Sequence, residues 1–271
     1  MNPVAEKMAR RAAATMGDVA AAGDVVARDE TGRAAALGAG GKHRARRADG
    51  AASRARILEA AGKLFADQGY DAVSTRALAK AARVNLSAIG YHFGGKAGLY
   101  REVLRQLIVN SEPIMGPAVE SLRMGVAGAR GDKAKLAEVM AGFIRHLLGA
   151  VLRDERMRWP MALMLREFNQ PSPWFPMLLE QRIHPLHNAV AGLVGAATGR
   201  RPDDAETRLL TAVLIGQCMV LGAARRVVWA RLGWDSYTPE RVEFIVRTLT
   251  PAVLAMFGLP AIDPDAQGGK P

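Results

Sequence analysis

Cysteine is nearly absent. Cys218 is the single one in 271 residues, so no disulfide can close within the chain, and a reducing compartment suits it. Long apolar runs are missing as well. No stretch approaches the roughly 18 residues that a membrane-spanning helix needs. Asp18, Asp24, Asp29 and Glu30 interrupt the region where an apolar signal core would lie. These absences point to a soluble, cytoplasmic protein without a membrane partner. Aromatics make up only 6% of the residues. Nowhere do apolar and polar residues alternate for long, which argues against strands. Acidic residues are also short, 26 against 37 basic ones, for a formal charge of +11. Such a balance favours a polyanionic partner, nucleic acid above all.

Residues 1–50 hold Ala, Gly and Arg with almost no large apolar side chain. A segment of that composition buries too little surface to offset its ordering entropy, and a disordered arm is expected. Its end is basic, with Lys42, Arg44, Arg46 and Arg47, then Arg54 and Arg56. Two readings stand for it. It is either an over-long start, with Met8 or Met16 as the true one, or an arm that adds phosphate contacts.

From Ser53 onward the pattern is helical. Ile57, Leu58, Ala61, Leu64 and Phe65 follow the 3.6-residue period, and Gly69 is placed to end that helix. Thr75 is the expected N-cap of a short second helix, with Leu78, Ala79 and Ala82 on its inner face. After the turn Arg83-Val84-Asn85, Asn85 is the expected N-cap of a third helix with Ile89 and Phe93 inward. Gly94-Gly95 breaks it and Lys96 opens a fourth. Beyond Pro113 and Pro117 longer helices are expected over 114–128, 132–153, 155–169, 174–198, 204–232 and 239–257, with kinks at Pro160, Pro185 and Pro251. The chain thus reads as all-α: a helix-turn-helix domain over 51–110, a larger helical domain over 111–260 and a loose tail over 261–271.

The stretch GYHFGGKA, residues 90–97, nearly spells a phosphate-binding P-loop, but Ala97 stands where a Ser or Thr would hold magnesium. No strand precedes it, so a nucleotide site is disfavoured. Two short helices joined by a tight turn on a longer first helix make a helix-turn-helix instead, whose second helix enters the DNA major groove. Ser87, Gly90 and Tyr91 give that helix a small or polar outer face. Lys96, with the free N–H groups of the next helix start, can grip a DNA phosphate.

The run RILEAAGKLFADQGYDAVSTRALAKAARVNLSAIGYHFGGKAGLY resembles the N-terminal domain of TetR/AcrR-type transcriptional regulators. It departs from that pattern at Gly90, where a second aromatic is frequent, and at Gly94-Gly95, where a pair such as Pro-Ser is usual. The resemblance implies that Thr75 and Asn85, besides capping, touch phosphate. Arg76, in the first turn of the second helix, reads as an exposed charge or a phosphate contact. His92 reads as a core histidine packed on the first helix or a phosphate contact, and Lys96 as a phosphate contact. Leu86 and Ser87 are expected near bases, although apolar Leu86 equally suits packing against the protein. Tyr91 reads as a half-buried core aromatic or, by its family position, as a DNA contact, and Gly90 leaves one contact out.

Further along, REFNQPSP, IHPLHNAV, and IGQCMVLGAARRVVWARLG followed by YTPE resemble the CecR-like subgroup. This resemblance implies an all-α ligand-binding domain and a homodimer built from the last two long helices. The segment WPMALMLREFNQPSPWFPMLLEQ combines aromatics with adaptable thioethers. Trp159, Met161, Met164, Leu165, Phe168 and Trp174 read either as core or as the lining of an effector pocket, with Arg166 and Glu167 supplying polar contacts. An inward Glu167 would favour a cationic effector and an inward Arg166 an anionic one. His184 and His187 are three apart, but Pro185 between them and the lack of accompanying ligands disfavour a metal. No cofactor, metal or catalytic residue is expected. The function expected is a dimeric repressor that binds a palindromic double-stranded DNA operator and is released by a small-molecule effector. A non-specific nucleic-acid-binding or scaffold protein acting through its basic arm is the rival.

Overall fold

The computed structural model describes residues 36–153 and 158–262, with side chains from Asp49 onward except that of Arg158. Every regular element among them is helical, as the absence of strand alternation led one to expect. In order they are α1 (Ala36–Ala72), α2 (Thr75–Ala82), α3 (Leu86–Phe93), α4 (Lys96–Ala129), α5 (Lys133–Arg153), α6 (Arg158–Asn169) and α7 (Phe175–Leu178). A π turn (Leu179–Ile183) leads into α8 (His184–Thr198), followed by α9 (Ala205–Ala223), α10 (Arg225–Leu232) and α11 (Pro239–Met256). The chain divides into two units. One comprises residues up to Leu104 together with Arg166–Pro176, and the other Arg105–Leu165 with Met177 onward.

Three expectations need correcting. Helix α1 begins at Ala36, so residues 36–50 of the arm are helical rather than disordered. Ala and Arg favour helix there, whereas Gly38, Gly40, Gly41 and Gly50 do not, so propensity alone does not account for the extension. The first 35 residues and the tail from Asp263 lie outside the described residues. The fourth helix does not break at Pro113 and Pro117 but runs through both. The carbonyls that these rings free belong to Val109 and Pro113, which are exposed like Pro117, so water can satisfy them. The stretch read as one helix over 204–232 divides at Ala224 into α9 and α10.

The first unit is organised around α1. Gly69 adopts φ 85°, ψ 169° and interrupts that helix where the sequence places its end. Ile57, Ala61 and Phe65 of α1, Leu78 of α2, Ile89 of α3 and Leu99, Tyr100 and Leu104 of α4 are buried. The second unit has its own core. Leu136, Met140, Ile144 and Leu148 of α5 cluster with Val190, Leu193 and Val194 of α8, Leu214 and Cys218 of α9, and Val246 and Leu254 of α11. The 3.6-residue spacing on each helix supplies one apolar stripe to this core. An ion pair between Arg145 and Glu243 joins α5 to α11.

Helix α9 is long and apolar enough, by length and composition, to cross a membrane, contrary to the sequence reading. It is apolar on two sides. One carries Leu214, Ile215 and Cys218 into the core, while Leu209, Val213 and Val220 stand exposed.

Candidate nucleic-acid interface

Two caps set the geometry of the head. Ser74, not Thr75, is the N-cap of α2; its hydroxyl accepts from the Ala77 N–H at 3.1 Å. Both residues are good caps, so composition alone could not choose between them. Asn85 caps α3 as its type predicts, its Oδ1 accepting from the Ser87 N–H at 3.2 Å. The chain between the two helices turns through Arg83, held at φ 54° with its N–H returned to Ala79 and Lys80. Helix α3 ends at Gly94, φ 70°, and Gly95 follows at φ 111°. Both are left-handed positions that glycine occupies without a Cβ penalty.

Helix α3 has two unlike sides. Ile89 is fully buried and Phe93 half-buried, whereas Leu86 is 45% and Tyr91 87% exposed. Asn85, Ser87 and Gly90 are exposed beside them. A Cβ added at Gly90 would meet nothing within 4 Å, so the glycine is not demanded by packing. Tyr91 is the largest side chain on the outer face, and burying an aromatic of that size needs a partner outside this chain. Thr75 is half-buried and Arg76 exposed, both in the first turn of α2. His92 is half-buried, its ring 5.0 Å from that of Tyr91.

Lys96 is placed at the start of α4 as expected, and it already has partners. Its ammonium donates to the Asp71 carbonyl at 3.2 Å and lies 4.6 Å over the Tyr70 ring. Arg54, part of the basic run at the end of the arm, pairs with Glu102 and lies 5.3 Å over the Phe93 ring. It braces α1 against α3 and α4. Gly98 went unnoticed in the sequence and is the tightest glycine here: a Cβ would lie 1.8 Å from the Phe93 carbonyl oxygen. Only glycine lets the end of α3 approach α4 so closely.

Of the residues considered for an effector pocket, the structure assembles two separate groups. Met161 is buried in the core of the second unit, with Met164 and Leu165 half-buried against it. Arg166, Glu167 and Trp174 belong to the first unit instead. Arg166 donates to the Ala66 carbonyl at 3.2 Å and to the Asp67 carbonyl at 2.7 Å, satisfying the last turn of α1 before Gly69. The buried Glu167 carboxylate accepts from the Tyr100 hydroxyl, from the Ser172 N–H at 3.2 Å and from the Ser172 hydroxyl at 3.0 Å. Burial, then this bond, pushes the Tyr100 hydroxyl well above its ordinary range. Trp174 meets the Tyr70 ring edge-on at 5.4 Å and lies 5.6 Å from the Tyr100 ring. Pro171 and Pro173 account for the path, since neither can continue α6 past Asn169. Trp159 is half-buried and Phe168 43% exposed. Local periodicity marks such residues as inward but does not name the helix they face.

Among the described residues no group of His, Cys, Asp and Glu could hold a metal ion. A short helix-turn-helix on a long first helix, with an aromatic offered outward from its second helix, defines a DNA-binding head. Residues 57–103 match the family described as bacterial regulatory proteins, tetR family. Residues 136–258 match that described as HTH-type transcriptional dual regulator CecR, C-terminal domain. The chain belongs to the TetR family of transcriptional regulators, with a C-terminal domain of the CecR type. It is 27% identical over 201 residues to the HTH-type transcriptional dual regulator CecR of Shigella flexneri, covering 74% of this chain and 89% of that one. To the HTH-type transcriptional regulator UidR of Escherichia coli K12 it is 29% identical over 116 residues, 39% of this chain and 59% of that one. A solved TetR-like transcriptional regulator from Rhodococcus sp. RHA1 shares the fold, with a TM-score of 0.50 and 17% identity over 75% of this chain and 96% of that one.

Proposed function

We propose that the protein is a homodimeric, ligand-responsive repressor, without enzymatic activity, that binds a two-fold-symmetric operator in the cytoplasm. One observation carries the reading of DNA: Tyr91 stands 87% exposed on a helix whose other side is anchored by the fully buried Ile89. In this reading Leu86, Ser87, Gly90 and Tyr91 approach base edges, while Thr75, Arg76, Asn85 and His92 take phosphates. Lys96 exchanges the Asp71 carbonyl for a phosphate oxygen.

The dimer reading rests on exposed apolar side chains of the last three helices. Leu209, Val213, Val220 and Val227 on α9 and α10, with Phe244 on α11, are 67, 40, 52, 64 and 52% exposed. Leu209, Val213 and Val220 share one side of α9 by their spacing, and such a side is expected to be covered by its symmetry mate. Ligand response is assigned to the second unit, where Met161, Met164 and Leu165 join the core that an effector would reshape. The chain passes from that unit into the head at Arg166 and returns at Met177. In this reading Arg166, Glu167 and Trp174 are one covalent route by which such a change reaches α1, beside α4, which itself runs from one unit into the other at Leu104–Arg105. An effector acts only through different affinity for the two conformers.

The test is fluorescence anisotropy with the promoter of the protein's own gene and a scrambled duplex over a salt series. Preference for the promoter that persists as salt rises and collapses in Tyr91→Ala supports the reading. Equal binding to both duplexes, lost together with salt and indifferent to Tyr91→Ala, supports the rival in which the basic arm binds any duplex.

A further inference from the structure

The second unit carries a cleft of about 600 Å³ between the π turn with the start of α8 and the start of α9. None of the residues considered so far for an effector lines it. Its walls include Leu179, Ile183, His187, Arg208 and Thr211. Pro185 explains its shape. A proline has no N–H for the carbonyl four residues back, and the ladder widens ahead of it, with the His184 N–H returned to the Leu179 carbonyl five residues away. Leu179 and Ile183 are the two ends of that wide turn.

Thr211 is 1% exposed, yet its hydroxyl has no hydrogen-bond partner among the described residues. Thr207 and Thr250 are likewise buried without a partner, but of the three only Thr211 lines this cleft, and two other helical threonines of the second unit satisfy themselves. Thr198 donates to the Val194 carbonyl and Thr248 to the Phe244 carbonyl, each at 2.8 Å. A buried hydroxyl that forgoes this bond at the wall of a cleft is poised for an occupant. Arg208 lies one turn earlier on the same side of α9. Its neighbours are committed: Arg200 to Glu206 at 2.8 Å, and Arg201 to Asp203 at 2.9 Å. Asp203 also lines the cleft; its carboxylate is held by Arg201, and the Arg208 charge acts on it as well, more weakly. Arg208 forms no ion pair among the described residues. Burial, then His184 and Arg182, lowers the His187 pKa and favours the neutral ring, a polar wall without a further charge.

We propose that this cleft is the effector site and that it takes a small carboxylate with an apolar body. The carboxylate pairs with the Arg208 guanidinium and accepts the Thr211 hydroxyl, and the body lies on Leu179, Ile183 and Ala191. The volume is that of an ordinary small-molecule site. The inference rests on the reading of the protein as ligand-responsive, and its test needs no DNA.

Hexanoate, octanoate and benzoate are titrated into the full-length protein by calorimetry, with octanol and octylamine as controls. The expected result is saturable binding of at least one carboxylate and of neither control. Arg208→Gln weakens it at least tenfold. Thr211→Val, which keeps the shape and removes only the hydroxyl, weakens it about threefold or more while leaving the melting temperature unchanged or higher. No binding of any of the three carboxylates overturns the proposal, as does equal binding of octanol or octylamine, or full affinity in Arg208→Gln. Anisotropy with ligand-free protein tests DNA reading separately. Failure there with carboxylate binding intact strikes the regulator reading and spares the cleft as a binding site.

Discussion

The hydroxyl of Tyr100 in α4 donates to the carboxylate of Glu167, 67 residues further along the chain, and both groups are buried. Glu167→Ala would leave that hydroxyl and both donors of Ser172 without an acceptor. A stability loss of about 3 kcal/mol is expected. Tyr100→Phe in the same background recovers part of it, because the orphaned hydroxyl goes too. Thermal or urea unfolding of the single and double variants checks this. A loss below about 0.5 kcal/mol would mean that water replaces the carboxylate at little cost.

Gly98 and Gly90 make a matched pair. A Cβ at Gly98 would lie 1.8 Å from the Phe93 carbonyl oxygen, while one at Gly90 meets nothing within 4 Å. Gly98→Ala is therefore expected to cost at least about 2 kcal/mol and to disturb the seating of α3. Gly90→Ala is expected to be neutral or to stabilise by up to about 1 kcal/mol. Melting temperatures of the two variants settle the comparison. Equal shifts would contradict the packing described.

The sign of a pH effect follows from His187. Burial, then His184 and Arg182, depresses its pKa in the folded chain, while the unfolded chain titrates near 6.5. Below that value the unfolded state binds the extra proton first. Stability is thus full above about pH 6.5 and declines as pH falls through the folded pKa. His187→Asn is expected to flatten that part of the melting curve against pH. An unchanged slope would assign the decline to other groups.

Cys218 is 2% exposed, and burial pushes its thiol up to about 11. Little thiolate exists at neutral pH and little of the side chain is reachable. Iodoacetamide is expected to label the native protein at pH 7.5 at least tenfold more slowly than the urea-unfolded chain. Mass spectrometry over a time course measures the ratio, and comparable rates would place the thiol at a surface.

Much of the head was legible because its signals are local. Asn85 as a cap, Ile89 as an inward residue and Gly94-Gly95 as a stop each follow from a residue type and a spacing of a few positions. The substitution of Ser74 for Thr75 as cap is a one-residue slip between equivalent hydroxyls. What stayed hidden is partnership at a distance. Nothing near Arg166 says that its guanidinium will meet the end of α1. Nothing near Lys96 says that its ammonium rests on Tyr70 and the Asp71 carbonyl. The passage of α4 through two prolines depended on which way their freed carbonyls face, and periodicity does not report the fate of a carbonyl. The cleft beside Thr211 was unreadable for the same reason, since a missing hydrogen bond has no sequence signature.

The strap of residues 166–176 counts as part of the head, and this bears on how such a protein can be cut and recombined. A fragment ending near residue 110 would lack the acceptor for Tyr100 and the cover for Tyr70, so it is expected to be less stable than the head with its strap. A chimera that grafts this head onto a relative's ligand-binding half would inherit a foreign strap. Exchange between relatives is then expected to succeed only when the strap travels with the head, as two exchanged segments rather than one.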